Sequence, residues 1–348
     1  MAKGSALGFL RRLVVGTGTV LGWIIAAGLI AWSVGALYYD LSDAGPVAPV
    51  VFLAVVVVAV LLLDGTLSKL LAVLACFAIV LTWWLTQQPR NDRDWQPDVA
   101  QTAWAEVAGD VATLHNVRNC EYRTETDYTP QWEIRKVNLA KLAAVDLAIT
   151  YWGSPYMAHP IASFEFSDGA APVCFSIETR KEVGESYSAI GGFYRQYELI
   201  YIVSDERDVV RLRTNFRKGE EVYLYRTTLP PAEVRERFLE YIATLNELHQ
   251  KPRWYNAATT NCTTSIRTQH ASDQRQKWDW RMLVNGKGDE MLYERRDIVT
   301  GGLSFADLKK QAHINAAAQA ADAKPDFSSR IRAGRVGFEA KKAGASGR

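Results

Sequence analysis

From Leu13 to Leu85 the chain is almost free of charge, whereas from Arg90 onward charged, aromatic and aliphatic residues alternate as in a water-soluble protein. Leu13 to Leu37 carries no charged residue and exceeds the roughly 20 residues that cross a bilayer as a helix. Val47 to Leu63 (VAPVVFLAVVVVAVLLL) lies near the short limit, but Val50 to Val60 is apolar on every face, which suits lipid better than an amphipathic bundle. Leu67 to Leu85 contains one charge, Lys69, close enough to the segment's start to snorkel to the interface. Asp64-Gly65-Thr66 ties the last two segments into a hairpin. The pattern predicts three transmembrane helices within residues 1–88.

Lys3, Arg11 and Arg12 precede the first segment and Lys69 flanks the hairpin, so both places are expected on the cytoplasmic side. The loop between the first two segments carries Asp40 and Asp43, and Trp83 and Trp84 fall where an outer aromatic belt would lie. Three crossings put Gln87 to Arg348 outside. The alternative for the first segment is a cleaved export signal, whose apolar stretch usually runs only about 7 to 15 residues.

The outer part reads as one α+β domain over residues 89–332, followed by a basic tail, 333–348, expected to be disordered because it is too poor in large apolar residues to build a core. Trp95 to Val117 and the helix-former-rich Leu139 to Leu147 predict helices. Ile161 to Phe166 and Val173 to Glu178 alternate as strands and are joined through Ser167-Asp168-Gly169 into a hairpin. Tyr197 to Val203, Val209 to Leu212 and Glu221 to Tyr225 predict three more strands, with Ser204 to Asp208 as a polar turn between the first two. Pro231 then opens a helix in which Val234, Phe238, Tyr241, Ile242, Leu245 and Leu248 recur at helical spacing.

Charge and cysteine content narrow the chemistry. With 40 basic against 38 acidic residues there is no basic surplus of the kind that nucleic acid requires. Of four cysteines, Cys76 lies in the third apolar segment and Cys120, Cys174 and Cys262 lie outside, so an oxidising compartment leaves at least one thiol unpaired even if Cys120 and Cys174 join. Cys262 sits in a cap-rich segment, Tyr255 to Thr264 (YNAATTNCTT), that includes Tyr255 and Asn261 as supporting residues. A helix starting there puts the thiol at a helix N-terminus, where free N–H groups favour the thiolate. The plain alternative is a small buried cysteine.

A cysteine nucleophile needs a base. His115, His249, His270 and His313 lie in stretches read as helical. His159 stands apart in a Gly/Pro-rich loop (GSPYMAHP) at the mouth of a strand, where a rigid element aims the imidazole, and Glu178 ends the neighbouring strand as the group to orient it. No His or Cys pair has metal-ligand spacing and no phosphate loop is present, so neither metal nor cofactor is expected.

The order His159, SFEF, SIETR, YRQYELIY, DERD and YNAATTNCTT, with the late FSSRIR (Phe327 to Arg332), resembles the Lnb N-terminal periplasmic domain family over about Tyr151 to Arg332. The resemblance implies a circularly permuted papain-like thiol fold, the histidine strand preceding the cysteine helix, in a bacterial inner-membrane protein with its C-terminal domain in the periplasm. It further implies lipoprotein N-acylation with Cys262 as acyl carrier. On that expectation His159 takes the Cys262 proton, the thiolate attacks a phospholipid ester, and a lipoprotein or peptide amine resolves the thioester. Outside the cytoplasm activated acyl groups are found in phospholipids, so a membrane anchor brings the enzyme to its donor. The rivals are an envelope cysteine amidase or peptidase, and a non-catalytic scaffold whose cysteine is structural.

Overall fold

A computed structural model describes residues 2–41, 45–269, 278–282, 285–322 and 324–339, the side chains of residues 2–11, 262, 263, 268 and 269 excepted. The chain forms two units, Met1–Pro89 with Tyr187–Tyr197, and Arg90–Ser186 with Glu198–Arg348.

In the first unit α1 (Ala2–Tyr39), α2 (Val47–Leu62) and α3 (Thr66–Thr86) pack pairwise. The apolar segments are thus helices, and Gly65, at φ +76°, makes the turn expected between the last two. Ala26, Ala36, Phe52, Val56, Val73 and Val80 form a buried seam, while Val50, Val55, Leu61, Leu71 and Ile79 are exposed. A bundle apolar outside as well as inside is what lipid, not water, favours. By length and composition α1 and α3 can cross a membrane; α2 has 16 residues and is shorter.

The second unit is α+β. Its sheet comprises β1 (Trp104–Ala108), β2 (Val111–Arg118), β5 (Trp132–Asn138), β6 (Leu142–Trp152), β7 (Ala158–Phe166), β8 (Val173–Arg180), β9 (Glu198–Ser204) and β10 (Glu220–Arg226). A separate ribbon of β3 (Glu121–Tyr122) and β4 (Tyr128–Thr129) lies between β2 and β5 in the chain. The strand order is β1-β2-β9-β8-β7-β6-β10, with β5 also on β2, and among the described residues only β2–β9 is parallel. The helices are α4 (Glu206–Arg211), continued by a π-helical turn at Leu212–Phe216, then α5 (Pro231–Gln250), α6 (Cys262–Gln269), α7 (Gly288–Arg295), α8 (Phe305–Ala312), α9 (Asn315–Ala320) and α10 (Phe327–Arg332).

Helices cover both faces of this sheet. On one, here the α5 face, Phe238 meets Phe164 and Phe175 edge-on with ring centroids 5.1 and 5.4 Å apart. All six apolar positions expected on α5 are buried; each such side chain contributes roughly 1.5–3 kcal/mol when removed from water. On the other, the α4 face, Val209, Val210, Phe327 and Ile331 pack on Ala148, Ile161, Val222 and Leu224. Arg332 of α10 there ion-pairs with Asp146 at 2.8 Å and Glu206 at 2.6 Å, so the FSSRIR segment closes this layer.

Four expectations change. Trp95–Val117 contains the β1–β2 hairpin, turning at Gly109 (φ +60°), because Ala105, Ala112 and Leu114 are buried with a period of two. Leu139–Leu147 is a short 3-10 turn running into β6; with both faces covered, the strand reads as a continuous apolar run instead of alternating. Ser204–Asp208 is no turn: Asp205 accepts from the Asp208 N–H at 3.1 Å and caps α4, so Val209 and Val210 are helical. The described part of the tail, residues 333–339, is packed, Arg335 donating to the His313 carbonyl at 2.9 Å and Phe338 lying on the α4-face core. The remainder, from residue 340, lies outside the described residues.

Candidate functional site

The segment before α6 is built by its own amides. Asn256 Oδ1 accepts from the N–H groups of Ala258 and Thr259, both at 3.0 Å, and folds the loop back on itself. Asn261, buried, then accepts the Thr264 N–H at Oδ1 (2.9 Å), while its own N–H donates to Thr264 Oγ1 (2.9 Å). This reciprocal cap satisfies two end groups and fixes the start of α6 at Cys262. The helix start expected from the sequence is therefore present, with Asn261 as its cap and Tyr255 buried at the base of the loop. The Cys262 side chain lies outside the described residues.

One turn beyond Cys262, Ile266 lines an apolar cavity of about 180 Å³ together with Leu147, Ile149, Pro160, Tyr241 and Met291. Leu147, Ile149, Pro160 and Tyr241 belong to the α5 face, so α6 packs on that face of β7 and β8, beside α5. Its small, hydroxyl-bearing residues Thr264 and Ser265 are buried.

His159 belongs to β7 itself, paired with Thr150, not to the preceding loop. Because Ile161 pairs with Ser176, the odd positions of β7 and the even positions of β8 share a face. His159, Ser176 and Glu178 accordingly meet on the α4 face. His159 Nε2 lies 2.7 Å from Ser176 Oγ, and Ser176 Oγ donates to Glu178 Oε1 at 2.7 Å. Arg213, from the π-helical turn, donates to Glu178 at 3.3 Å and Glu220 at 3.2 Å.

This chain of bonds fixes a tautomer. An ionised Glu178 only accepts, so Ser176 gives it its proton and must accept from His159, which places the imidazole proton on Nε2 and leaves Nδ1 bare. Burial, helped by Arg213, pushes the His159 value down to about 3. Burial alone would raise Glu178, but Arg213, then His159, outweigh it and hold the carboxyl below its usual range. The layer is thus a neutral imidazole beside a permanently ionised Arg–Glu pair.

The His159 ring points to the α4 face, whereas Ile266 of α6 lies on the α5 face; with the Cys262 side chain outside the described residues, the expected contact of His159 and Glu178 with Cys262 stays an expectation. Ser176 and Arg213 were not anticipated: Ser176 was legible as sharing a face with Glu178, whereas Arg213 lay past the end of an expected strand. A His159→Gln variant keeps a donor for Ser176. In it the pH profile of Cys262 alkylation should stay put, and a displacement of about one unit or more would restore the histidine as the thiol's partner.

The other histidines have packing roles. His115 is on β2 and stacks on Trp104 at 3.8 Å, His249 Nδ1 lies 2.7 Å from Thr102 Oγ1, and His313 pairs with Glu221. His270 lies outside the described residues. Cys120 and Cys174 are free and buried, in separate clusters, so they do not form the disulfide considered from the sequence. Burial pushes the Cys120 thiol up to about 11 and Cys174 well above its ordinary value. Iodoacetamide near neutral pH should therefore leave both unmodified in the folded protein; rapid labelling of either, followed by peptide mass analysis, contradicts this burial.

No curated protein and no solved structure matches the chain. Residues 128–286, which carry His159, Ser176, Glu178 and the whole of α6, match the Lnb N-terminal periplasmic domain family, as the sequence resemblance anticipated, and the match supports an envelope-associated, periplasmic place for this segment.

Proposed function

We propose that the protein is a membrane-anchored thiol acyltransferase of the bacterial envelope, with Cys262 as nucleophile. One observation carries this reading: Cys262 is the first residue of a capped helix, and an apolar cavity opens one turn further along that helix. Free N–H groups and the positive end of α6 favour a thiolate at that position, and the cavity suits part of a fatty acyl chain. The thiolate attacks the carbonyl of a phospholipid ester, the lysophospholipid leaves as an alcohol with a proton, and a thioester remains on Cys262. The α-amine of a lipoprotein or peptide attacks the thioester, forming an amide; the amine proton passes to the departing thiolate.

In this reading all three apolar helices cross the bilayer. The 16 residues of α2 span about 24 Å at 1.5 Å per residue, slightly less than a roughly 30 Å hydrocarbon core, a mismatch that local thinning absorbs. The order of β7 before α6 fits a permuted papain-like arrangement. The His159–Ser176–Glu178 group is assigned to holding the sheet and the π-helical turn together, and thiolate formation to the helix end.

Intact mass of the full chain in vesicles of phosphatidylethanolamine and phosphatidylglycerol tests the reading. A fatty-acyl increment removed by neutral hydroxylamine is expected, and adding a peptide with a lipidated N-terminal cysteine should move that chain to the peptide amine. Loss of the increment to water alone, without transfer, makes the enzyme a hydrolase. A chain that acylates peptide but never carries an increment contradicts the thioester.

A further inference from the structure

Between β8 and β9 the chain makes an excursion whose middle, Tyr187–Tyr197, belongs to the helical unit. It is fastened where α1 and α3 end together. Trp84 Nε1 donates to Asp40 Oδ2 at 2.7 Å, and Asp40 Oδ1 accepts the Arg195 N–H at 3.0 Å. The Arg195 guanidinium lies 3.9 Å over the Trp84 ring and donates to the carbonyls of Trp84 (2.6 Å) and Gln87 (2.9 Å) at the end of α3. Tyr194 stacks on Tyr39 at 5.4 Å, over Gly35, where a side chain would have no room. Yet the tip of this loop is apolar and outward: Ile190 is 61% and Phe193 55% exposed.

An exposed apolar tip on a loop otherwise bonded down is costly in water, and here it sits at the level of Trp84, Tyr39 and Tyr194 on a bundle whose flanks are apolar. Aromatic rings with a cation at the ends of spanning helices mark the headgroup boundary. We propose that Tyr187–Tyr197 is a membrane-contacting element of the folded protein, inserting Ile190 and Phe193 into the headgroup and upper acyl region of a phospholipid bilayer. Arg195 and Asp40 hold it at that depth. This rests on α1 to α3 crossing the bilayer, and the test separates the two.

The full chain, carrying a photoreactive benzoylphenylalanine at one position, is reconstituted in vesicles of phosphatidylethanolamine and phosphatidylglycerol and irradiated, and phospholipid adducts are read by mass. Val55, exposed on α2, reports the crossing itself, and Ile134, exposed on β5, reports lipid reached by chance. Positions 190 and 193 should each give about tenfold more phospholipid adduct than position 134 and should approach position 55. Adducts at 55 but not at 190 or 193, or attachment of 190 and 193 to protein, overturn the inference; no adduct at 55 overturns the membrane reading beneath it. Equal adducts at 134 and 190 also count against it, since they show no preference of the loop for lipid.

Discussion

Replacing Cys262 with alanine should abolish the hydroxylamine-labile acyl increment and lower peptide acylation by on the order of 10⁴- to 10⁶-fold, the loss seen when a covalent nucleophile is removed. The expected size follows from the role: without the sulfur there is no thioester, and direct aminolysis of a phospholipid ester by an amine is all that remains. Because Asn261 and Thr264 bond through Asn261's own atoms and the Thr264 amide and hydroxyl, the cap survives the substitution and the fold should be unchanged. Cys262→Ser sharpens the test, since a serine ester resists neutral hydroxylamine and its hydroxyl gains little from a helix end. An increment that persists but turns hydroxylamine-resistant keeps the site and changes the bond. Cys262→Ala protein that acylates at the wild-type rate leaves the cysteine structural and overturns its role as the acyl carrier.

How much of this was legible before the structure depends on how each element hides its apolar side. α5 was legible residue by residue because it lies on the sheet with one face, so its period survives in the sequence. β6 was not, because helices cover both faces of the sheet and Ala144, Val145, Asp146, Ala148 and Ile149 are all buried, which erases alternation. α4 was hidden by its own cap, since Asp205 and the acidic first turn look like a polar turn until the next residues are seen to be helical. The cap that starts α6 was readable because Asn and Thr flank the cysteine within a few positions. The side on which His159 points was not: it depends on the register of β7 against β8 and on which face α6 takes, and neither is local. The Tyr187–Tyr197 attachment was equally illegible, since Asp40 and Arg195 meet across 155 positions.

The second large effect concerns the buried charge layer. Arg213 is 5% exposed and donates to two carboxylates, Glu178 and Glu220; Glu220 keeps Arg217 at 3.4 Å, so Arg213→Met leaves Glu178 as the carboxylate that loses its bonded cation in a low-dielectric layer. Removing one partner of a buried pair typically costs about 3–5 kcal/mol, because the remaining charge has neither water nor a counter-ion. The pH dependence gives the cause away. In the wild type the folded Glu178 value is depressed, so its contribution is present above the unfolded carboxylate value and is lost as pH falls toward the folded one. His159, held neutral down to about 3, acts in the same direction: its contribution is present above the ordinary histidine value and is lost as pH falls from there. Without Arg213 the largest influence opposing burial is gone and the folded Glu178 value moves up, so acidification relieves the variant by protonating the carboxylate. The gap in unfolding midpoint between wild type and Arg213→Met, followed by urea titration of the full chain in detergent, should be widest near neutral pH and narrow toward pH 5. Adding Glu178→Gln, which still accepts from Ser176, should restore a large part of the loss. A gap that widens on acidification, or a double variant no more stable than Arg213→Met, means that the arginine acts through packing of its stem and not through the carboxylate it faces.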